Sequence, residues 1–378
     1  MKKIIVLLIL GLLMVHAACS MRPRRIVLGI ALTASYHPAV KLAVQEINSS
    51  GGIGGVPIEL VGLDWKVVDD FKATDILERA GQFAAQKDLI AVIGHSDSAS
   101  TLSAASFYNQ QRIPQIVTIA TNPAITNIGD WTYRLCLSDA AQGPALAEYA
   151  VKDWGKRRIA VFYVNDDYGR GLAQLFEKRV RELGGEIVAS VMHRNVLADD
   201  DKELIHETLK RLKQNKEPDL IVLFHRTRVA EWVLEAIHKE QLGSSILGGD
   251  SLGPLDFAKA NPELMEGVRV SQFFLPRSDD AYATTFVKNY RAFAGKDPDY
   301  GHAFAYDAIY LLRDAVLHGG SSRVGVKSYL DKLIHEKTHG AGVAGNYILG
   351  PDHDARRELY IVEAHNGTHT LLKTLKVD

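Results

Sequence analysis

Three groups of residues have types and spacings that could do chemistry. From Leu89 the chain reads LIAVIGHSDSASTLSAA. An apolar run ends at Gly94, and a serine-rich loop leads into a helix that the pattern starts between Ser98 and Thr101. Such a junction turns free backbone N–H groups and the positive end of a helix dipole toward an anion, and Ser96, Ser98 and Ser100 add hydroxyl donors. One serine or Asp97 suffices as a helix cap; four polar residues exceed that need. GHSDS also approaches the G-x-S-x-G nucleophile elbow, with Ser96 as nucleophile, but Ser98 stands where the second glycine belongs. The second group is HEKTH, His335 to His339. On one helix its histidines would share a face and bind zinc, with Glu336 activating a metal-bound water. A helix VKSYLDKLIHEKTH that finishes at Gly340, followed by turn and strand, offers no third ligand. A solvated last turn explains the residues better, because His and Lys suit the negative helix end. The third group lies at strand ends. IVTIATNP ends in Ala120 and Thr121, FYVNDDYG places Tyr168 on a loop, and LGGDSLG places Asp250 on another. Ligands of open parallel sheets bind beyond the carboxyl ends of the strands, so these loops are expected to converge. Turn roles for Asp166, Asp167 and Asp250, and a core-lid role for Tyr168, stand beside that reading.

Elements that would position these groups alternate regularly. RRIVLGIAL is followed by a helix to Ile47, PIELVGLD by a helix from Ala73 to Gln86, LIAVIG by the serine-capped helix, and then comes IPQIVTIA. This order predicts right-handed βαβ units and a parallel sheet covered on both faces. NSSGGIGG, from Asn48, lies between helix and strand, the reverse of a dinucleotide-binding turn, so Gly51 and Gly52 read as a helix C-cap. RRIAVFYV, from Arg157, restarts the pattern, with a helix from Leu172 to Leu183 and strands EIVASV, DLIVLF and SSILGGD. The fold class is therefore α/β, with two lobes of the same kind. Asn366-Gly367, inside RRELYIVEAHNGTHTLLKTLKV, marks a hairpin or tight turn.

The 378 residues carry 44 Lys plus Arg against 45 Asp plus Glu. That balance gives no field to attract nucleic acid or an anionic membrane. Met-Lys-Lys, an apolar run from Ile4 to Val15 and the small residues Ala17-Ala18-Cys19-Ser20 read as a secretory signal, residues 1–19. Ala-Ala-Cys resembles a lipobox, which would make a lipid on Cys19 the sole membrane attachment, although His16 departs from its pattern. Cleavage with release is the other outcome. Cys136 is then unpaired and reads as a small core residue. No metal and no cofactor is expected.

LAVQEINSSGGIGGVPIELVGLD, GHSDSAST, IATNPAIT, YGRGLA and YDAIYLLRDAV, in order along the chain, together resemble the leucine/isoleucine/valine-binding protein family. These are solute-binding components of ATP-driven importers with the type I periplasmic-binding fold. The resemblance implies no enzymatic activity, an extracytoplasmic location, a small-molecule ligand and a transporter permease as partner. It also implies two Rossmann-like lobes joined by three crossings near Asp139, Phe274 and Glu358. Residues 24–139 plus 275–357 would form one lobe, and 140–274 plus 358–378 the other. By the same resemblance, Ser98 and Thr121 bind a ligand carboxylate. Backbone at Ile119 and Ala120, together with Asp250, receives an amino group, and Tyr168 closes over the ligand. The chain departs from the family where FHRTRV puts Arg226 or Thr227 in place of a second tyrosine, where the acid is Asp rather than Glu, and where TASYHPA is short and lacks glycines. Tyr36 and Trp65 are further pocket candidates. Arg226 would admit a second acidic group or pair with a nearby carboxylate. A ligand-sensing or envelope-regulatory lipoprotein of the same fold, and a secreted hydrolase, are the other functional readings.

Overall fold

Every residue of β1 (Ile26–Ala31) is buried, which is why it is a continuous apolar run: both faces of a parallel sheet are covered by helices. The computed structural model describes residues 25–64 and 73–377. β1, β2 (Ile58–Val61), β3 (Leu89–Gly94), β4 (Gln115–Val117) and β5 (Thr132–Arg134) form a five-stranded parallel sheet in the order β2-β1-β3-β4-β5. Helices His37–Ser49, Ala281–Ala294 and Tyr300–Gly319 pack on one face through Val40, Phe286 and Phe304. Helices Ala73–Ala85 and Ser98–Gln110 cover the other through Ile76, Phe83 and Tyr108.

β6 (Arg158–Val164), β7 (Glu186–His193), β8 (Leu220–Phe224), β9 (Ser245–Gly248) and β10 (Arg269–Gln272) repeat that pattern in the order β10-β9-β8-β6-β7. A short antiparallel sheet of β11 (His339–Gly340), β12 (Tyr347–Leu349) and β13 (Ala355–Arg356) follows. The chain then returns to the second sheet, where β14 (Glu358–His365) runs antiparallel to β10 and β15 (Thr368–Lys376) antiparallel to β14. Asn366 and Gly367 join β14 to β15 with positive φ at both positions, the hairpin geometry that Asn-Gly favours. In both sheets the strand order reverses once, between β1 and β3 and between β6 and β8. Ligand crevices of such sheets form at those reversals.

The glycine run after helix His37–Ser49 is a C-cap. Gly51 and Gly52 have φ of +102° and +71°, and the Gly52 N–H donates to the Ile47 carbonyl at 2.9 Å. Asn48 then ties the turn to β2, exchanging two hydrogen bonds with the Ile58 backbone.

Three expectations need correction. The helix expected from Leu172 begins at Asp167, because Asp166 accepts the N–H groups of Tyr168 and Gly169; two glycines in its first turns hid the apolar periodicity. β4 stops at Val117, so Thr118 to Thr121 are loop rather than strand. Helix Arg323–Glu336 stops short of Gly340, with Lys337 left-handed at its end. His335 is exposed in its last turn and His339 lies in β11, so the two histidines share no helix face. Among the described residues no cluster of His, Cys, Asp or Glu could hold a metal.

Candidate functional site

β3 delivers the first half of the site. Asp97 caps helix Ser98–Gln110 by accepting the Ser100 N–H at 2.9 Å. Ser96 Oγ accepts the Thr33 N–H at 2.8 Å, fastening the loops after β1 and β3 together. That bond gives the nucleophile-elbow serine a structural task. Ser98 is 2 % exposed, and its Oγ has no partner among the described residues. The N–H groups of Ser98 and Ala99 belong to the first turn, where no intrahelical acceptor exists. This end of the cavity therefore presents donors, with the helix dipole behind them.

The loop after β4 is held from below by Arg134, which is fully buried. Its guanidinium grips both carboxylate oxygens of Asp354 at 2.8 Å and donates to the carbonyls of Asn122 at 2.7 Å and Ala120 at 3.4 Å. Thr121 Oγ1 donates to Asp139 at 3.0 Å.

Across the gap, the loop after β9 supplies Asp250, 2 % exposed. Gln142 at 2.9 Å and the Tyr168 hydroxyl at 3.0 Å donate to Oδ1, and Tyr300 at 3.2 Å donates to Oδ2. All three donors are neutral. Gln142 Nε2 also reaches Asp139 at 3.1 Å, and its own carbonyl oxygen accepts Ser271 at 2.8 Å. Asp139 and Asp250 are thus two buried carboxyls sharing one amide. Burial first, then the neighbouring Asp250 charge, pushes Asp139 up to about 8 against the pull of Thr121, Arg134 and Gln142. Burial also raises Asp250. Ser251 Oγ lies 2.8 Å from the Tyr168 hydroxyl and 2.6 Å from the His225 carbonyl. Arg226 donates to Asp166 at 3.0 Å; burial opposes its charge, but Asp166 and Asp97 outweigh that.

These groups bound one cavity of about 40 Å³, lined by Ser98, Ile119, Ala120, Thr121, Tyr168, Arg226 and Asp250 with Ser96, Asp97, Ser251 and Tyr300. Two hydrophilic ends therefore face each other across a narrow space: hydroxyl and amide donors on one, a buried carboxylate on the other. An arrangement of this kind between two α/β lobes suits capture of a molecule carrying both an acceptor and a donor group. The periplasmic binding protein family model matches residues 30–368. The chain belongs to that family. Among its relatives is the Leu/Ile/Val-binding protein homolog 1 of Brucella abortus (strain 2308), 27% identical over 292 residues, 76% of this chain and 75% of that one. A substrate-binding protein of an ABC transporter from Desulfitobacterium hafniense, in complex with Leu, superposes with a TM-score of 0.78 at 26% identity, covering 92% of this chain and 100% of the other. The leucine-binding protein of Thermotoga maritima superposes with a TM-score of 0.81 at 23% identity, covering 93% and 99%, a likeness of fold.

Within this binding-protein fold, seven of the nine residues singled out from the sequence meet at the cavity. Tyr36 lies beside it, its ring 4.9 Å from that of His302. Trp65 lies outside the described residues. Of the two roles open to Arg226, the structure shows pairing with a carboxylate, Asp166. Sequence reasoning missed Tyr300, Gln142, Ser251, Asp139 and Arg134. For Tyr300 a signal existed: Asp299 accepts the His302 N–H as helix cap, so an Asp before an aromatic-rich helix marked its first turn. Gln142 and Arg134 gave none, because their partners are remote in the chain.

Proposed function

We propose that this protein is an extracytoplasmic solute-binding protein that captures an amino acid or related small carboxylate between its lobes and delivers it, chemically unchanged, to an ABC importer. The lobes are residues 24–139 plus 275–357 and 140–274 plus 358–378. Ser98, the first-turn N–H groups and the backbone N–H of Thr121, whose hydroxyl donates to Asp139, hold the ligand carboxylate. The backbone of Ile119 and Ala120 and the Asp250 carboxylate receive its ammonium, and Tyr168 closes from the second lobe. One observation carries this reading. A buried Ser98 hydroxyl, without a partner among the described residues, faces the same cavity as a buried carboxylate whose three donors are all neutral. Buried charges require compensation, and a zwitterion supplies both signs at the required ends. Family membership and the absence, among the described residues, of any helix long and apolar enough to cross a membrane agree with a binding role outside the bilayer.

Calorimetry and thermal shift with an amino-acid panel test the proposal. A bound ligand at about 100 times its dissociation constant adds roughly 2.7 kcal/mol of stability. Ser98→Ala is expected to weaken binding by about 1 to 3 kcal/mol, and Asp250→Asn by at least as much. Unchanged affinity in both variants would refute the site.

A further inference from the structure

We propose that Lys259 and Asp297 form a surface clasp between the two lobes, one that presses Tyr300 onto Asp250 and makes closure of the cleft sensitive to ionic strength. This rests on the proposed two-lobe binding role and adds to it two positioning residues outside the cavity.

The first ground is where the clasp sits. Lys259 belongs to helix Leu255–Ala260 of the second lobe, and its Nζ lies 2.9 Å from Asp297 Oδ2 of the first. The same two stretches of chain meet again inside the cleft. Tyr300, three residues after Asp297, donates to Asp250, which lies on the loop that leads into the Lys259 helix. One stretch of each lobe therefore meets the other twice, through a buried hydrogen bond and through an ion pair at the surface.

The second ground is that the stretch carrying Asp297 is stiff. Gly295 ends helix Ala281–Ala294 in the left-handed conformation, with its N–H on the Arg291 carbonyl at 2.9 Å. Asp299 caps the next helix, Tyr300–Gly319, by accepting the His302 N–H at 3.1 Å. Only Lys296 to Pro298 lie between these two caps, so a pull on Asp297 is passed to Tyr300. Arg291 also grips Asp297 and fastens it to the helix behind.

The third ground is the electrostatic setting. Arg291 first, then Lys259, hold the Asp297 carboxyl below the usual carboxylate range, so it is ionised at neutral pH. The Lys259 side chain is 46 % exposed and that of Asp297 23 %. A crevice of about 470 Å³ with Asp256 and Lys296 on its walls borders both, and mobile ions reach the pair through it. The reach of such charges shortens from about 10 Å at 0.1 M salt to about 3 Å at 1 M. The Tyr300–Asp250 bond is buried and largely escapes that screening.

The test reads closure without any ligand. Dyes on Leu77→Cys and Leu204→Cys, exposed positions on the two lobes, report the open-to-closed ratio by energy transfer. The mature protein carries Cys19→Ser and is unfolded, dialysed and refolded to strip bound solute. Raising NaCl from about 20 mM to about 1 M is expected to shift the wild-type ratio toward the open form by about two- to fivefold, the range of an exposed ion pair. Lys259→Ala and Asp297→Ala are expected to start more open at low salt and to lose at least half of that response. What remains belongs to Arg226, whose charge feels Asp97 across the cavity. Lys259→Arg, which keeps the charge, should behave as the wild type does. Because Asp297 positions Tyr300, the Tyr300→Phe change is expected to open the wild type at least about twofold more than it opens Lys259→Ala. A wild type that ignores salt, alanine variants that match it at low salt, or strictly additive effects of Lys259→Ala and Tyr300→Phe each overturn the clasp. The wild-type salt titration needs no variant, and none of these results touches ligand binding, which calorimetry on the amino-acid panel decides separately.

Discussion

Asp139 never reaches the cavity surface, yet burial and the Asp250 charge raise its pKa enough that the site is expected to respond to pH through it. Its folded pKa of about 8 lies above the roughly 3.9 of an unfolded aspartate, so between those values the folded chain binds more protons than the unfolded one. The contribution of Asp139 to stability is therefore complete below about pH 4 and declines as the pH climbs through about 8. Asp139→Asn is expected to flatten the stability profile over that window, measured by urea midpoints across pH. An ammonium beside Asp250 offsets the charge that holds the proton on Asp139. Ligand binding near neutral pH is therefore expected to release protons, read as a heat that varies with the ionisation enthalpy of the buffer. The same titration on Asp139→Asn should show little buffer dependence.

At the scale of elements, the strand-to-helix junctions carry the site, and their close packing is testable. A Cβ on Gly169 would meet the Val164 carbonyl at 2.2 Å; because that neighbour is backbone, Gly169→Ala must push helix Asp167–Glu182 off β6. Overpacking of this kind costs about 1 to 3 kcal/mol, and since the shift carries Tyr168 with it, thermal denaturation and ligand affinity should both fall. The elements differed in how far the sequence revealed them. β1, β3 and β8 were legible because strands buried on both faces are unbroken apolar runs, and Asn366-Gly367 because its turn type demands those residues. The start of helix Asp167–Glu182 was hidden, since Gly169 and Gly171 supply close approach instead of apolar periodicity. The strand-end loops could be located from local pattern, and with them Ser98, Thr121, Tyr168 and Asp250. Gln142 could not: its partner Asp250 lies 108 residues away, and only the completed fold brings an unremarkable helix glutamine between two acids.

Across the whole molecule, direct hydrogen bonds hold the lobes together at the site: Gln142 Nε2 donates to Asp139 at 3.1 Å, and two more lie nearer the cavity. Asn122 Nδ2 donates to the Asp167 carbonyl at 2.6 Å, and Tyr300 donates to Asp250 at 3.2 Å. Helices Ser98–Gln110 and Asp167–Glu182 also touch across the gap. Each such hydrogen bond contributes about 0.5 to 1.5 kcal/mol, enough to shift a hinge equilibrium whose states differ by a few kcal/mol. The double variant Asn122→Ala, Tyr300→Phe is expected to populate the open form. Small-angle scattering should show a larger radius of gyration without ligand that contracts when ligand is added, with an apparent affinity reduced by the fraction of closed protein lost. An unchanged radius would mean that other contacts set the closure.

Cys136, the one cysteine among the described residues, is fully buried, with its Sγ 3.5 Å from the Ala120 carbonyl. Burial raises its thiol well out of the reactive range, so a thiol reagent can modify it only when the floor under the Ala120 loop comes apart. The molecule thus contains its own clock for breathing of its interior: the rate of modification counts openings that expose the thiol, and an occupied cleft should slow it.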